Sequence, residues 1–189
     1  MSARDLELVL VRHGETTASV GRRVAGWSNP PLTPRGEAQA RAVGRLLRGE
    51  RFDGVWTSDL RRSMDSARLA HLEAADGWPE PVVAEALREV NFGPHEGRSY
   101  DDFDGEFADL MLRFRDFEVP GGDTWAAFRD RVHGFIDGLP DGRHLLVVHG
   151  GVVRVLTQDV GLDRFVETGT VVGLDPVTPR LLFVREPSE

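Results

Sequence analysis

The chain contains no cysteine, no lysine, a single tyrosine and no long hydrophobic run. Without cysteine there are no disulfides, no thiolate nucleophile and no Cys-ligated zinc or iron–sulfur centre, so nothing demands an oxidising compartment. Without lysine the chain cannot carry a Walker P-loop, a protein-kinase catalytic set or a pyridoxal-phosphate Schiff base, each of which needs that amine. No apolar stretch approaches the roughly 20 residues that span a bilayer. The polar residues 1–5 run directly into an apolar strand, so no membrane attachment and a cytoplasmic location are expected. The 23 arginines against 31 acidic residues leave a formal charge of -8, which opposes a sequence-independent hold on nucleic acid. A small anionic substrate stays compatible, because local arginines outweigh a distant field.

With 189 residues and 40% hydrophobic composition, the length suits one domain over 1–189. The apolar run 6–11 reads as a buried strand. Thr33-Pro34 then supplies a cap and a first-turn proline for a helix over 34–48, with Ala38, Ala42, Val43, Leu46 and Leu47 inward and Arg41, Arg45 and Arg48 outward. A short strand at 54–58 precedes a helix over 61–75 with Met64, Ala67, Ala70 and His71 on one side. A brief strand at 82–84 leads into a loop at 85–98. Helices are expected at 100–113 and from Asp123 or Thr124 to 138, a buried strand at 144–148, a helix at 152–160 opened by Gly150-Gly151, and two strands at 171–174 and 181–184. Strands alternating with helices predict an α/β fold, a mostly parallel sheet with helices on both faces and antiparallel edge strands at the chain's end.

Four segments carry groups that phosphoryl transfer to a histidine requires: a nucleophile, cationic donors for phosphoryl oxygens and a proton for the leaving oxygen. Arg12-His13-Gly14-Glu15-Thr16 follows the first strand, where open α/β sheets place their chemistry. His13 is the candidate nucleophile, and neighbouring guanidinium groups help to keep it neutral. Arg12 and Arg62, in Thr57-Ser58-Asp59-Leu60-Arg61-Arg62, present the planar fork suited to phosphate. His149, between a buried strand and the Gly150-Gly151 pair, is assigned to oxyanion stabilisation with the backbone N–H groups of the next helix. Glu89, in a loop, is assigned to protonating the leaving alkoxide and then activating water, with Glu85 as a weaker candidate. His71, His95, His133 and His144 are read as helix-face, loop or surface residues, and the absence of a His-Glu-x-x-His spacing argues against zinc. Trp27, with Gly26 in a glycine- and proline-rich loop, is placed at the substrate mouth.

These segments, together with the loop from Gly26-Trp27 to Pro31-Leu32-Thr33, Gly36, Phe92-Gly93, Glu96-Gly97 and Pro120-Gly121-Gly122, resemble the histidine phosphatase superfamily, in its phosphoglycerate mutase-like branch. The likeness covers 6–174. It implies a three-layer α/β/α sandwich, a phosphohistidine intermediate on His13 and no cofactor or metal, with the pocket roles carried by Arg12, His13, Arg62, Glu89 and His149. Ser19 stands where members often carry a phosphate-contacting asparagine and offers one hydroxyl. Asp59 replaces a usual proline, and His95 a frequent tryptophan.

Cofactor-dependent phosphoglycerate mutases in that family are longer, with a helical insertion and a C-terminal tail shielding the phosphoenzyme. This chain has few polar residues after Val184, which favours a phosphatase. The size, the Pro-Gly-Gly turn and the His-Gly-Gly-Val-Val-Arg ending resemble α-ribazole phosphatase-type proteins. The expected partner is a small phosphorylated substrate, and a homodimer is compatible with the sequence. A mutase, or a non-catalytic phosphoester-binding protein on the same fold, are the alternatives. The intact set of core groups argues against the second.

Overall fold

The computed structural model describes residues 4–74, 77–103 and 105–186. Six strands, β1 (Leu6–Arg12), β2 (Gly54–Thr57), β3 (Val82–Val83), β4 (Gly142–Val148), β5 (Val171–Asp175) and β6 (Arg180–Arg185), form one sheet in the order β3-β2-β4-β1-β5-β6. The first four are parallel, and β5 and β6 close one edge antiparallel. The α-helices are α1 (Thr17–Val20), α2 (Pro34–Leu46), α3 (Arg61–Ala74), α4 (Gly105–Arg113), α5 (Trp125–Asp137) and α6 (Gly150–Thr157).

Strand alternation divides the core. Val9 and Val11 of β1, with Leu145 and Val147 of β4, pack with Val43, Leu47, Ala67 and Ala70 of the α2–α3 layer. Leu8, Leu10, Leu146 and Val148 point the other way, into a cluster with Phe128 and Val132 of α5 and Val152 and Val153 of α6. The result is the expected three-layer α/β/α arrangement. The chain leaves β1 toward the α2 face and leaves β4 into α6 on the opposite face, so the carboxyl ends of these adjacent strands open a crevice.

Several details differ from the sequence reading. Thr33 caps α2 as expected, its hydroxyl accepting from Gly36 N at 3.0 Å, but the helix ends at Leu46. Its buried stripe is Gly36, Ala40, Val43 and Gly44 with Leu47, while Ala38 and Leu46 are exposed. A Cβ on Gly44 would lie 2.2 Å from Ala70 O. Close approach to α3 through that glycine therefore turns α2 away from its larger apolar residues. Arg41 is half-buried on Glu73 at 3.1 Å rather than outward. In α3, Met64 is exposed, and Arg62, Ser63 and Ser66 are buried instead, because this helix starts beneath the crevice. The expected terminal residue Ala75 lies outside the described residues.

The single helix expected over 100–113 is a 3₁₀ turn, Tyr100–Asp102, followed by α4, and Gly105 has φ +61. A left-handed residue there separates the two turns; Asp104 lies outside the described residues. The helix expected over 152–160 starts at Gly150 and ends as a 3₁₀ turn, Gln158–Val160. The four-residue α1, too short for periodicity to register, was not expected. His144 is a buried residue of β4, 1% exposed, and not a surface histidine; its Nε2 pairs with Pro140 O at 3.0 Å and its Nδ1 with Trp56 Nε1 at 3.3 Å.

Candidate active site

Arg12 ends β1 in register with Val148, and His13 N–H donates to Val148 O at 2.9 Å. His13 and His149 therefore leave the sheet side by side, their rings meeting edge to face at 5.2 Å. Imidazole Nδ1 of His13 lies 2.7 Å from Gly14 O. A carbonyl only accepts, so Nδ1 carries the proton and Nε2 presents its lone pair. That lone pair accepts from Arg62 Nε at 3.1 Å. A Cβ on Gly14 would lie 2.2 Å from Gly36 O, so glycine after the histidine lets the start of α2 close against this loop.

Burial, followed by the charges of Arg62 and Arg12, holds the His13 imidazole well below its ordinary pKa. Burial, followed by Arg62, His13 and Arg12, does the same to His149. Both rings stay neutral in the fold but titrate near 6.5 when unfolded. Above that pH neither state binds extra protons; below it the unfolded chain gains them first, so stability falls with pH until the folded rings protonate. The slope is about 1.4 kcal/mol per pH unit for each ring. Thermal melts are expected to shift down between pH 6.5 and 5.5, before most carboxylates titrate. An unchanged midpoint over that interval would contradict the assignment of two buried neutral histidines.

Arg62, 1% exposed, is anchored by Nη1 to Ser28 O at 2.8 Å and by Nη2 to Gly26 O at 2.7 Å. Burial pulls its pKa down to about 10. Each terminal nitrogen keeps one further N–H for an anion. Gly26 has φ +48, and a Cβ there would lie 2.2 Å from Glu96 Oε1. The Glu96 carboxylate fixes the loop by accepting from Trp27 N and Ser28 N, each at 2.7 Å.

Both oxygens of Glu89 accept backbone N–H bonds, one from Val90 and one from Gly151 in the first turn of α6, each at 2.9 Å. Its own carbonyl accepts from Trp27 Nε1 at 2.9 Å and from Arg131 Nη2 at 3.2 Å. Arg131 also holds Ala86 O and Arg88 O, so α5 sets the whole Glu89 loop. Asp59 is occupied by Arg88, whose Nε donates to Oδ1 at 2.7 Å, and burial is outweighed by that bond in lowering the Asp59 pKa. Its charge is therefore paired beside the loop.

His149 Nε2 lies 2.6 Å from Ser58 Oγ. That hydroxyl oxygen also accepts from Leu60 N at 3.3 Å, and the tautomer of His149 decides whether the hydroxyl gives its own proton to Nε2 or accepts from it. Nδ1 is buried with no partner in the fold, and so is Arg12 Nε, although Arg12 Nη1 donates to Val166 O at 2.5 Å. One buried guanidinium N–H and one buried ring nitrogen thus stand without a partner next to the neutral nucleophile candidate. Unsatisfied buried donors are rare and mark a place for an acceptor.

A cavity of about 240 Å³ opens on these groups, with Arg12, His13, Ser19, Arg22, Gly26, Arg62, Glu89 and Gly150 among its walls. A larger groove of about 730 Å³ on another side of Arg12 includes neither His13 nor Glu89, so the smaller cavity is the one that gathers the candidate groups. Its arginines make a local positive field in a chain of net negative charge. Two assigned binding residues do not line it. Trp27 lies behind Glu89, half-buried, with Arg88 4.6 Å above its ring; it supports the loop from behind and does not form the mouth. His149 is 0% exposed and sits behind His13. Ser19 reaches the wall, but its hydroxyl caps α1, donating to Thr16 O at 2.9 Å and accepting from Thr16 N at 2.8 Å.

Ser58 and Glu96 fall within motif segments but were given no role of their own from the sequence, and Arg22 and Arg131 were given none. Ser58 follows the end of β2 as His13 follows β1, and that position was its available signal. Arg131 carried none, and Glu96 only its place in the Glu96-Gly97 segment of the resemblance. Among the described residues no group of three or more His, Asp or Glu could hold a metal ion, and no helix is long and apolar enough to cross a membrane.

Residues 8–171 match the family described as "Histidine phosphatase superfamily (branch 1)". A curated relative from Salmonella choleraesuis (strain SC-B67), named "Probable phosphoglycerate mutase GpmB", is 34% identical over 171 residues, 86% of this chain and 78% of the relative. The crystal structure of TTHB049 from Thermus thermophilus superposes with a TM-score of 0.83 at 38% identity, covering 94% of this chain and 98% of the other. A protein from Escherichia coli str. K-12 substr. MG1655, described provisionally as an alpha-ribazole-5'-P phosphatase, superposes with a TM-score of 0.79 at 27% identity over 97% and 98% of the two chains. With the parallel strands β1 to β4, save the first two residues of β1, and every group around the crevice inside the matched span, the chain belongs to the histidine phosphatase superfamily.

Proposed function

We propose that the protein is a phosphomonoester hydrolase working through a phosphohistidine on His13. The observation that carries this reading is the neutral His13 ring, its Nε2 lone pair facing arginines, beside the unsatisfied donor Arg12 Nε. Nε2 attacks phosphorus, the P–O ester bond breaks, and the leaving oxygen takes a proton from the Glu89 carboxyl. As the N–P bond uses the lone pair, Arg62 Nε–H is released from the ring to a phosphoryl oxygen. Water then gives a proton to Glu89 and attacks phosphorus, the N–P bond breaks, and neutral His13 returns with free phosphate.

α-Ribazole 5'-phosphate is the named candidate substrate, supported by the likeness to the Escherichia coli protein. The mutase alternative draws on the name of the Salmonella relative. Phosphate release from α-ribazole 5'-phosphate, phosphoglycerates and sugar phosphates decides between them, run beside an assay for phosphate exchange between phosphoglycerate positions. Exchange outrunning release would make the protein a mutase. EDTA is expected to leave turnover unchanged, because the arginine-lined cavity repels a divalent cation; strong inhibition would point to a metal enzyme.

A further inference from the structure

The phosphate-sized cavity is not closed at its far side. It shares Arg12, Arg22, Glu89, Phe92, Tyr100 and Gly150 with a second chamber of about 490 Å³. The character of the walls changes across that boundary. The second chamber is built from Val24, Phe103, Met111, Leu112, Phe114 and Phe165, contributed by the loop after α1, by α4 and its flanks and by the loop after α6. A volume of this size falls in the range, about 300–1,000 Å³, typical of small-molecule sites.

We infer that this chamber holds the alcohol portion of the substrate, and that the substrate is a phosphomonoester whose phosphate is joined by a short linker to a bulky apolar, preferentially aromatic, body. The inference rests on the hydrolase reading for its chemistry, but its binding content stands independently. Glu89 lies at the junction of the two chambers, so an ester oxygen protonated there joins a phosphate beside His13 to a group in the apolar chamber. Tyr100 and Phe92 line both chambers at the same junction, and aromatic side chains there suit a flat body.

The floor of the chamber is rigid. Phe114 is 1% exposed with φ +51, an uncommon conformation for a bulky residue. It is boxed in by Phe117, Phe128 and Phe165 at ring distances of 5.2, 5.9 and 5.1 Å. Arg154 reinforces the box: it lies 5.5 Å from the Phe114 ring and 4.8 Å from that of Phe165, and it holds Leu112 O at 2.8 Å and Asp163 at 2.9 Å. By contrast, the rim is open, with Leu112 73% and Phe165 43% exposed beside the cavity. Exposed large apolar side chains lining a concavity suit an apolar ligand that covers them.

Two alkylphosphonates and inorganic phosphate separate body from phosphate without turnover. Titration calorimetry on the wild-type protein compares 2-(2-naphthyl)ethylphosphonate with ethylphosphonate and inorganic phosphate. The naphthyl compound is expected to bind tighter than ethylphosphonate by a factor on the order of 100. Leu112→Asp, on an exposed position that leaves the core intact, is expected to reduce that ratio about tenfold, and Phe165→Ala to reduce it similarly. Equal affinity for the two phosphonates, failure of both to bind, or a ratio untouched by both variants overturns the chamber assignment. Hydrolysis is read separately with the matching alkyl phosphates, which share similar leaving-group acidity. Tight naphthyl binding without phosphate release keeps the chamber and removes the hydrolase reading; release with no preference in binding does the reverse.

Discussion

His13→Ala is expected to reduce turnover by a factor on the order of 10⁴ or more, since the residue forms the covalent bond and no neighbour can replace it. The other imidazole, His149, is committed through Nε2 to Ser58 and has no surface on the cavity. Rapid quench with a ³²P-labelled substrate measures the step directly: wild-type protein should trap an acid-labile, base-stable phosphoryl adduct, and the variant none. The same substitution removes one of the two buried neutral rings, so the acid sensitivity of the melting temperature should shrink by about half. Normal turnover in the variant would falsify the phosphohistidine route even if the pH dependence of stability behaved as expected.

Gly151→Ala is expected to lower kcat for alkyl esters by a factor on the order of 10² to 10³ while leaving inhibition by inorganic phosphate nearly unchanged. A Cβ at this position lies 2.1 Å from Glu89 Oε1 and 2.7 Å from Phe114 Cζ. Phe114 is boxed among aromatic rings, whereas the Glu89 carboxylate ends a flexible side chain, so the carboxylate moves and loses its bond to the Gly151 N–H. Misplacement of the proton donor hurts most when the leaving group is a poor one. The deficit should therefore be much smaller for p-nitrophenyl phosphate, whose leaving oxygen needs little protonation. Glu89→Gln should show the same split between substrates. An equal loss on both ester types would mean that the alanine had deformed the phosphate site and not the proton donor.

The architecture was readable because its signals are local and strong: apolar runs for β1 and β4, a Thr-Pro cap for α2, glycines opening α6. The side-chain faces were less readable. In α2 the contact with α3 is decided by the absence of a side chain at Gly44, and hydrophobic spacing weights large residues over empty positions. Groups that touch phosphate-sized space follow strand ends, so His13, Arg12 and Glu89 could be proposed from position and chemistry. What holds them is dispersed. Arg131 reaches the Glu89 loop from 42 residues away, and Glu96 binds the Trp27 backbone from 69 residues away. Arg131 carries no mark in its own neighbourhood, and the Glu96-Gly97 segment marks the family without saying what its carboxylate holds. Trp27 shows the converse difficulty, since an aromatic in a glycine-rich loop next to the crevice has two faces, and only the fold decides that its indole N–H serves the Glu89 carbonyl.

The pairing of β1 with β4 also governs how the molecule is made. Leu6 is in register with Gly142, and Arg143 reaches back 136 residues to Glu7. β1 thus leaves the ribosome as an apolar ribbon whose parallel neighbour and antiparallel neighbour are both still unsynthesised. At about 5–20 residues per second, it waits on the order of ten seconds with both edges open. Pairing of such distant segments carries a loop-closure penalty and slows folding relative to local topologies. His13 and His149 come from the two ends of that long loop, so the centre of the sheet and the crevice above it assemble together, once β4 has been made, and no fragment ending before β4 contains a working half of the site.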